Sequence, residues 1–190
     1  MRIWIVRHGE TDWNVAGLLQ GSKSDIPLNS NGINVANLTA EGLRKSGVRF
    51  HKVYSSPLTR AIDTAQIISG ADTIIVDNRI TEYDFGEIEG ECIADLAIAI
   101  PIAIEQGGES INSLRSRVRN FLSEIVQDSE AEQLNILVST HGMTLRAILS
   151  EINNFDNIFD ATAHDNCGMT ILNVQNGRIS ILDENIVYYK

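Results

Sequence analysis

The 190-residue chain is predicted to be an α/β protein, a three-layer αβα sandwich on a mostly parallel central sheet of about six strands with an antiparallel edge strand. Three observations predict it. Short β-rich runs alternate with stretches of helical periodicity, and most of these runs are continuously apolar, as strands covered on both faces are. A hairpin-type turn separates the last two.

The strand runs are residues 2–6, 52–55, 73–76, 135–140, 169–174 and 178–183, each bounded by polar or glycine-containing segments. Gln175-Asn176-Gly177 is the hairpin signal, so the last strand is expected to join its neighbour antiparallel. Helices are expected between the strands. Residues 32–46 form one, despite several poor helix formers. In the next, 58–68, Ser56 serves as N-cap and Pro57 opens the helix, with Leu58, Ile62, Ala65 and Ile68 on one face. Over 110–126, Ile111, Leu114, Val118, Phe121, Leu122 and Ile125 recur at helical spacing while Arg115, Arg117 and Arg119 lie off the stripe, which makes that face core. A last helix is expected over 142–152. No repeat, low-complexity tract or linker divides the chain, so residues 1–190 are read as one domain.

Charge and cysteine usage exclude several function classes. A net charge of −10 and a pI near 4.8 argue against nonspecific binding to nucleic acid or to anionic membranes. The chain opens without a charged-then-apolar leader, and its longest apolar stretch, 93–104, is broken by Asp95 and Pro101 and is too short to span a bilayer. A cytoplasmic protein without nucleic-acid or membrane partners is expected. Cys92 and Cys167 match no metal or disulfide spacing and read as buried free thiols.

The chemistry is concentrated at strand ends. Ile3-Trp4-Ile5-Val6 runs into Arg7-His8-Gly9-Glu10-Thr11, which sets a cation and an imidazole at the carboxyl end of a buried strand, where open α/β sheets bind ligands. The strand at 135–140 runs in the same way into His141-Gly142. After the second strand, Arg60 falls in the first turn of a helix, where free amides attract anions although an arginine slightly opposes the helix dipole. Two arginines and two imidazoles at one sheet edge resemble a phosphate clamp.

Five motifs then occur in a fixed order: Arg7-His8-Gly9-Glu10-Thr11-Asp12-Trp13-Asn14, Ser55-Ser56-Pro57-Leu58-Thr59-Arg60-Ala61, the acidic run Glu82 to Gly90, Gly107-Gly108-Glu109-Ser110, and Ser139-Thr140-His141-Gly142. Together with Gln20-Gly21 and Asp25-Ile26-Pro27-Leu28, the series resembles the histidine phosphatase superfamily, the phosphoglycerate mutase-like group. The resemblance implies a metal-independent phosphomonoester hydrolase without a cofactor, acting on a small-molecule phosphomonoester. His8 would be the nucleophile that becomes phosphohistidine, with Arg7, Arg60 and His141 around the phosphoryl oxygens. Asn14, Gln20, Gly21 and Gly142 would complete the substrate site. Glu82 would be the proton donor and then the base, with Asp84 as the second choice in a carboxylate-rich stretch.

Two alternatives belong beside this reading. A phosphoglycerate mutase-type phosphotransferase would hold its substrate with basic residues after the acidic run, yet no lysine or arginine lies between Arg79 and Arg115; Lys23 could supply one cation. A non-catalytic module binding phosphorylated ligands would not need all five of Arg7, His8, Arg60, Glu82 and His141. The segment around 86–109 is read as a lid-like insertion. Its apolar part, 92–104, would be lid and pocket wall first and a homodimer contact second. An uncharged or apolar leaving group is therefore expected.

Overall fold

The computed structural model describes residues 1–127 and 134–189. Strands β1 (Arg2–Arg7), β2 (Lys52–Ser55), β3 (Ile75–Val76), β4 (Asn135–Thr140), β5 (Met169–Gln175) and β6 (Arg178–Ile186) form one sheet in the order β3-β2-β4-β1-β5-β6. The first four of these positions are parallel. Strand β5 runs antiparallel to both β1 and β6. The hairpin is where the sequence placed it, but the strand that runs against the rest is β5, and the edge strand β6 has the direction of β1. A turn fixes how two neighbours pair and says nothing of which of them meets the parallel strands.

Alternation across the sheet explains the continuous apolar runs. In β1, Ile3 and Ile5 enter one core while Trp4 and Val6 enter the other; in β4, Ile136 and Val138 oppose Leu137 in the same way. Helices α2 (Ser30–Lys45) and α3 (Thr59–Ser69) cover one face through Ala36, Leu43, Ala65 and Ile68. Helices α4 (Leu96–Glu105), α5 (Ile111–Gln127) and α6 (Gly142–Asn153) cover the other. A five-residue helix, α1 (Asp12–Ala16), has too little periodicity to be seen in the sequence and is held by a capping box between Thr11 and Asn14. Strand β3 is shorter than expected and exposes both of its side chains, as an edge strand can.

Three local expectations change. Helix α3 begins at Thr59, after Pro57, and its first amide is capped by the Asp25 carboxylate at 2.7 Å. The Ser56 hydroxyl oxygen accepts from the Leu58 amide at 3.3 Å, before the helix, and also meets His141 Nε2 at 2.7 Å. Cys167 is buried as expected, with burial pushing its thiol up to about 12, whereas Cys92 is exposed. The apolar segment after residue 92 does form a helix: α4 packs Ala99, Ile100 and Ala103 inward and leaves Ile98 57% and Ile104 46% exposed, with Pro101 inside it.

Candidate active site

Strands β1, β2 and β4 end at one edge of the sheet, and the reversed β5 starts there. The residues just past these ends converge on a cavity of about 220 Å³. Arg7, His8, Asn14, Gln20, Glu82 and Gly142 form its polar wall, and Leu18, Leu19, Phe85, Leu96 and Met143 much of its apolar wall. Leu96 brings the first turn of α4 into this lining. A larger groove of about 720 Å³ between the C-terminal ends of α2 and α3 contains none of these residues.

His8 is 3% exposed, and its Nδ1 lies 2.7 Å from the Gly9 carbonyl oxygen. A carbonyl only accepts, so Nδ1 carries the proton and Nε2 keeps its lone pair. Burial, followed by the charges of Arg7 and Arg60, holds the imidazole well below its usual pKa, and the ring is neutral. The backbone around it is fixed from three sides: the His8 amide donates to Thr140 O, the Gly9 amide to Thr64 Oγ1, and Asn166 Nδ2 to His8 O.

His141 stacks obliquely on His8, with ring centroids 5.2 Å apart, and its Nε2 meets the Ser56 hydroxyl at 2.7 Å. Its pKa is also held well below the usual value, by burial first and then by Arg60 and His8. Arg60 is fully buried, where its Nη1 and Nη2 donate to the carbonyls of Ser24 and Gly21. Arg7 Nη1 donates to His164 O at 2.6 Å. Three nitrogens remain without a partner although buried: Arg7 Nε, Arg60 Nε and His141 Nδ1. Unmet buried donors of this kind are costly unless a ligand accepts from them.

Glu82 is 6% exposed and reaches the N-terminus of α6 from outside the helix. Its Oε1 accepts from the amides of Tyr83 and Thr144 and from the Thr144 hydroxyl, and its Oε2 from the Met143 amide at 3.2 Å. It supplies the cap that His141, the residue before the helix, does not make. From behind, Arg117 of α5 donates to the carbonyls of Arg79, Thr81 and Glu82. Asp84 lies outside the cavity, paired with Lys23 at 3.3 Å and accepting from the Gly86 amide, so neither Asp84 nor Lys23 contributes to the wall.

The remaining expected residues divide. Asn14 Oδ1 is held by Thr11 N and Asn166 Nδ2, while its amide nitrogen has no hydrogen bond among the described residues. Gln20 Nε2 donates to Thr11 Oγ1, and its buried Oε1 is unpartnered. Gly142 sits between Arg7 and Glu82: a Cβ there would lie 3.7 Å from Arg7 Nε and 3.8 Å from Glu82 Oε2. Gly21 is outside the cavity and acts through its carbonyl on Arg60; any side chain would run into the Glu89 carboxylate and the Tyr83 carbonyl. Arg60 and His141 are fully buried and do not line the open cavity. Sequence reasoning missed Ser56 as the His141 partner, Asn166 as the bridge between His8 and Asn14, and two residues of the cavity wall, Arg146 and His164.

The family model of the histidine phosphatase superfamily, branch 1, matches residues 3–187. The chain belongs to the histidine phosphatase superfamily. The chain is 31% identical over 186 residues to the uncharacterized phosphatase PhoE of Bacillus subtilis, covering 97% of this chain and 94% of that protein. A phosphoserine phosphatase mutant from Entamoeba histolytica, solved in complex with phosphoserine, superposes with a TM-score of 0.80 at 28% identity, covering 97% of this chain and 96% of that one. A phosphoglycerate mutase from Bacillus anthracis shares the fold with a TM-score of 0.86 at 20% identity, covering 100% and 94%.

Proposed function

We propose that this histidine phosphatase hydrolyses a small phosphomonoester through a phosphohistidine on His8. The observation that carries this reading is the set of three unpartnered buried nitrogens, on Arg7, Arg60 and His141, grouped around a neutral imidazole whose proton is fixed on Nδ1. Such donors suit the equatorial oxygens of a transferring phosphoryl group.

In the first step the His8 Nε2 lone pair forms a bond to phosphorus as the ester P–O bond breaks, and Glu82, protonated, gives its proton to the leaving oxygen. In the second, the Glu82 carboxylate takes a proton from a water molecule whose oxygen bonds to phosphorus. The N–P bond then breaks, phosphate leaves, and Glu82 is again protonated. A mutase would instead return the phosphoryl group to an acceptor, and a ³²P-labelled substrate separates the two by whether free phosphate is released.

Incubation with ³²P-labelled p-nitrophenyl phosphate, quenched in alkali, is expected to leave acid-labile label on the wild-type protein and none on His8→Ala. Glu82→Gln is expected to lose roughly 100-fold or more in kcat on alkyl phosphates, in keeping with the 10²–10⁴-fold contribution of a general acid. It should lose far less on p-nitrophenyl phosphate, whose leaving group needs no proton. Label retained by His8→Ala would reject the nucleophile, and equal losses on the two substrate types would reject Glu82 as the acid.

A further inference from the structure

Arg146 carries an inference about what the cavity accepts. The arginines of this chain that are not exposed fall into two groups. Arg79, Arg115 and Arg117 each pair with a carboxylate at 2.5–2.9 Å. Arg7, Arg60 and Arg146 form no ion pair among the described residues and are bonded only to backbone carbonyls. In a chain with net charge −10, three partly or fully buried guanidiniums without a carboxylate, all at one site, call for an anionic ligand from outside. Two of them serve the phosphoryl group in the hydrolase reading. The third does not.

Arg146 lies one helical turn beyond Gly142 on α6, about 6 Å along the axis. Side chains of a helix lean toward its N-terminus, which here is the end where Arg7 and Glu82 meet. Its Nη1 donates to the carbonyls of Phe159 and Ala161 at 3.3 and 2.8 Å, and the guanidinium lies over the Phe159 ring at 5.8 Å. These contacts fix the group while Nε and Nη2 have no protein acceptor among the described residues. That edge is the fork that takes a carboxylate with two parallel hydrogen bonds.

We infer that Arg146 binds a carboxylate on the leaving group, so that the substrate is a short phosphorylated hydroxy acid or hydroxy amino acid. This deepens the hydrolase reading and rests on it for the phosphoryl half of the site. A cavity of about 220 Å³ is below the roughly 300–1,000 Å³ usual for ligand pockets, which suits a leaving group of a few carbons. A second phosphate would need another cation, and Lys23 is taken by Asp84 outside the cavity. The sequence-based expectation of an uncharged leaving group counts cations only along residues 80–114; the cation comes from α6 instead.

The test compares matched pairs that differ in one carboxylate: phosphoserine against phosphoethanolamine, and 3-phosphoglycerate against glycerol 3-phosphate. In the wild type, kcat/KM is expected to favour the carboxylated member of at least one pair. Arg146→Met, which retains the apolar stem, is expected to cut that preference roughly 10- to 100-fold, mainly through KM, the effect of a lost charged hydrogen bond. Arg146→Lys should restore part of it, and thermal unfolding checks that both variants fold. A preference equal in wild type and Arg146→Met, or no preference in either pair, overturns the carboxylate site and leaves the hydrolase reading intact. Calorimetric binding of the same pairs to His8→Ala reads the site without turnover. If the wild type hydrolyses none of the four while His8→Ala still prefers a carboxylated member, the hydrolase reading falls and the carboxylate site stands.

Discussion

In the proposed reaction, His8 is kept reactive by the groups that would hold its substrate. Arg7 and Arg60 oppose a positive charge on the imidazole, and burial opposes it more. The His8 imidazole is thus neutral over a pH range where a free imidazole, with a pKa of ~6.5, would be protonated. Nitrogen NMR of histidine-labelled protein is expected to show the His8 ring still neutral, with its proton on Nδ1, at about pH 5.5. A His8 midpoint near ~6.5 would mean that the site is more open to water than its 3% exposure implies. At this scale the sequence was informative where chemistry is local, since Arg7-His8-Gly9 and His141-Gly142 each lie within a few residues of a strand end. It was silent about Ser56 with His141, 85 residues apart, and Asn166 with His8, 158 residues apart, because nothing in a single chain reports such pairings.

Helices position the rest of the site by their ends. Glu82 is carried on a loop without regular structure, yet the first amides of α6 and the Arg117 side chain of α5 fix it from opposite sides. Helix α4 differs, because it is apolar on nearly every face and offers its first residues to the cavity. Its inner and outer sides should be energetically unlike. Ile100→Ala, on the inner side, is expected to cost about 2–4 kcal/mol by denaturant unfolding. Ile98→Ala, 57% exposed, should stay within about 0.5 kcal/mol of wild type. Comparable losses at both positions would show that a second surface covers α4 in solution. Periodicity revealed α2, α5 and α6 to within a few residues. It misplaced the start of α3 because Ser56 and Pro57 form a good local start signal, whereas the helix begins at Thr59, whose amide is capped by Asp25 from 34 residues away in the chain.

Over the whole molecule, three buried imidazoles link the site to stability. Burial holds His8, His141 and His164 below their usual pKa, so each binds its proton more readily in the unfolded chain. The unfolded state gains protons as pH falls through ~6.5 while the folded state does not, and their stabilisation, fully present above that pH, is lost on acidification. The unfolding free energy is therefore expected to be lower at pH 5.5 than at pH 7, with about 1.4 kcal/mol per pH unit as the upper bound for each of His8 and His141, which are held well below their usual value, and less for His164. Chemical denaturation at the two pH values measures this directly, and a flat unfolding free energy would contradict it. The sheet itself was legible as six runs because both of its faces are covered, but its order depends on contacts between distant strands.

The reversal of β5 has a use in protein engineering. Because that strand starts at the site edge, the link into it, residues 161–168, gives Ala163 and His164 to the cavity wall and sets Asn166 between His8 and Asn14. One end is rooted behind α6 and the other in the middle of the sheet, with Cys167 donating its amide to the Arg7 carbonyl. A stretch tethered at both ends to rigid scaffold can be exchanged as a cassette. Grafting loops of other lengths between Ala161 and Gly168 would reshape that side of the cavity while Arg60 and His141 keep their places after β2 and β4, provided the new loop still offers Arg7 Nη1 the carbonyl that His164 gives it.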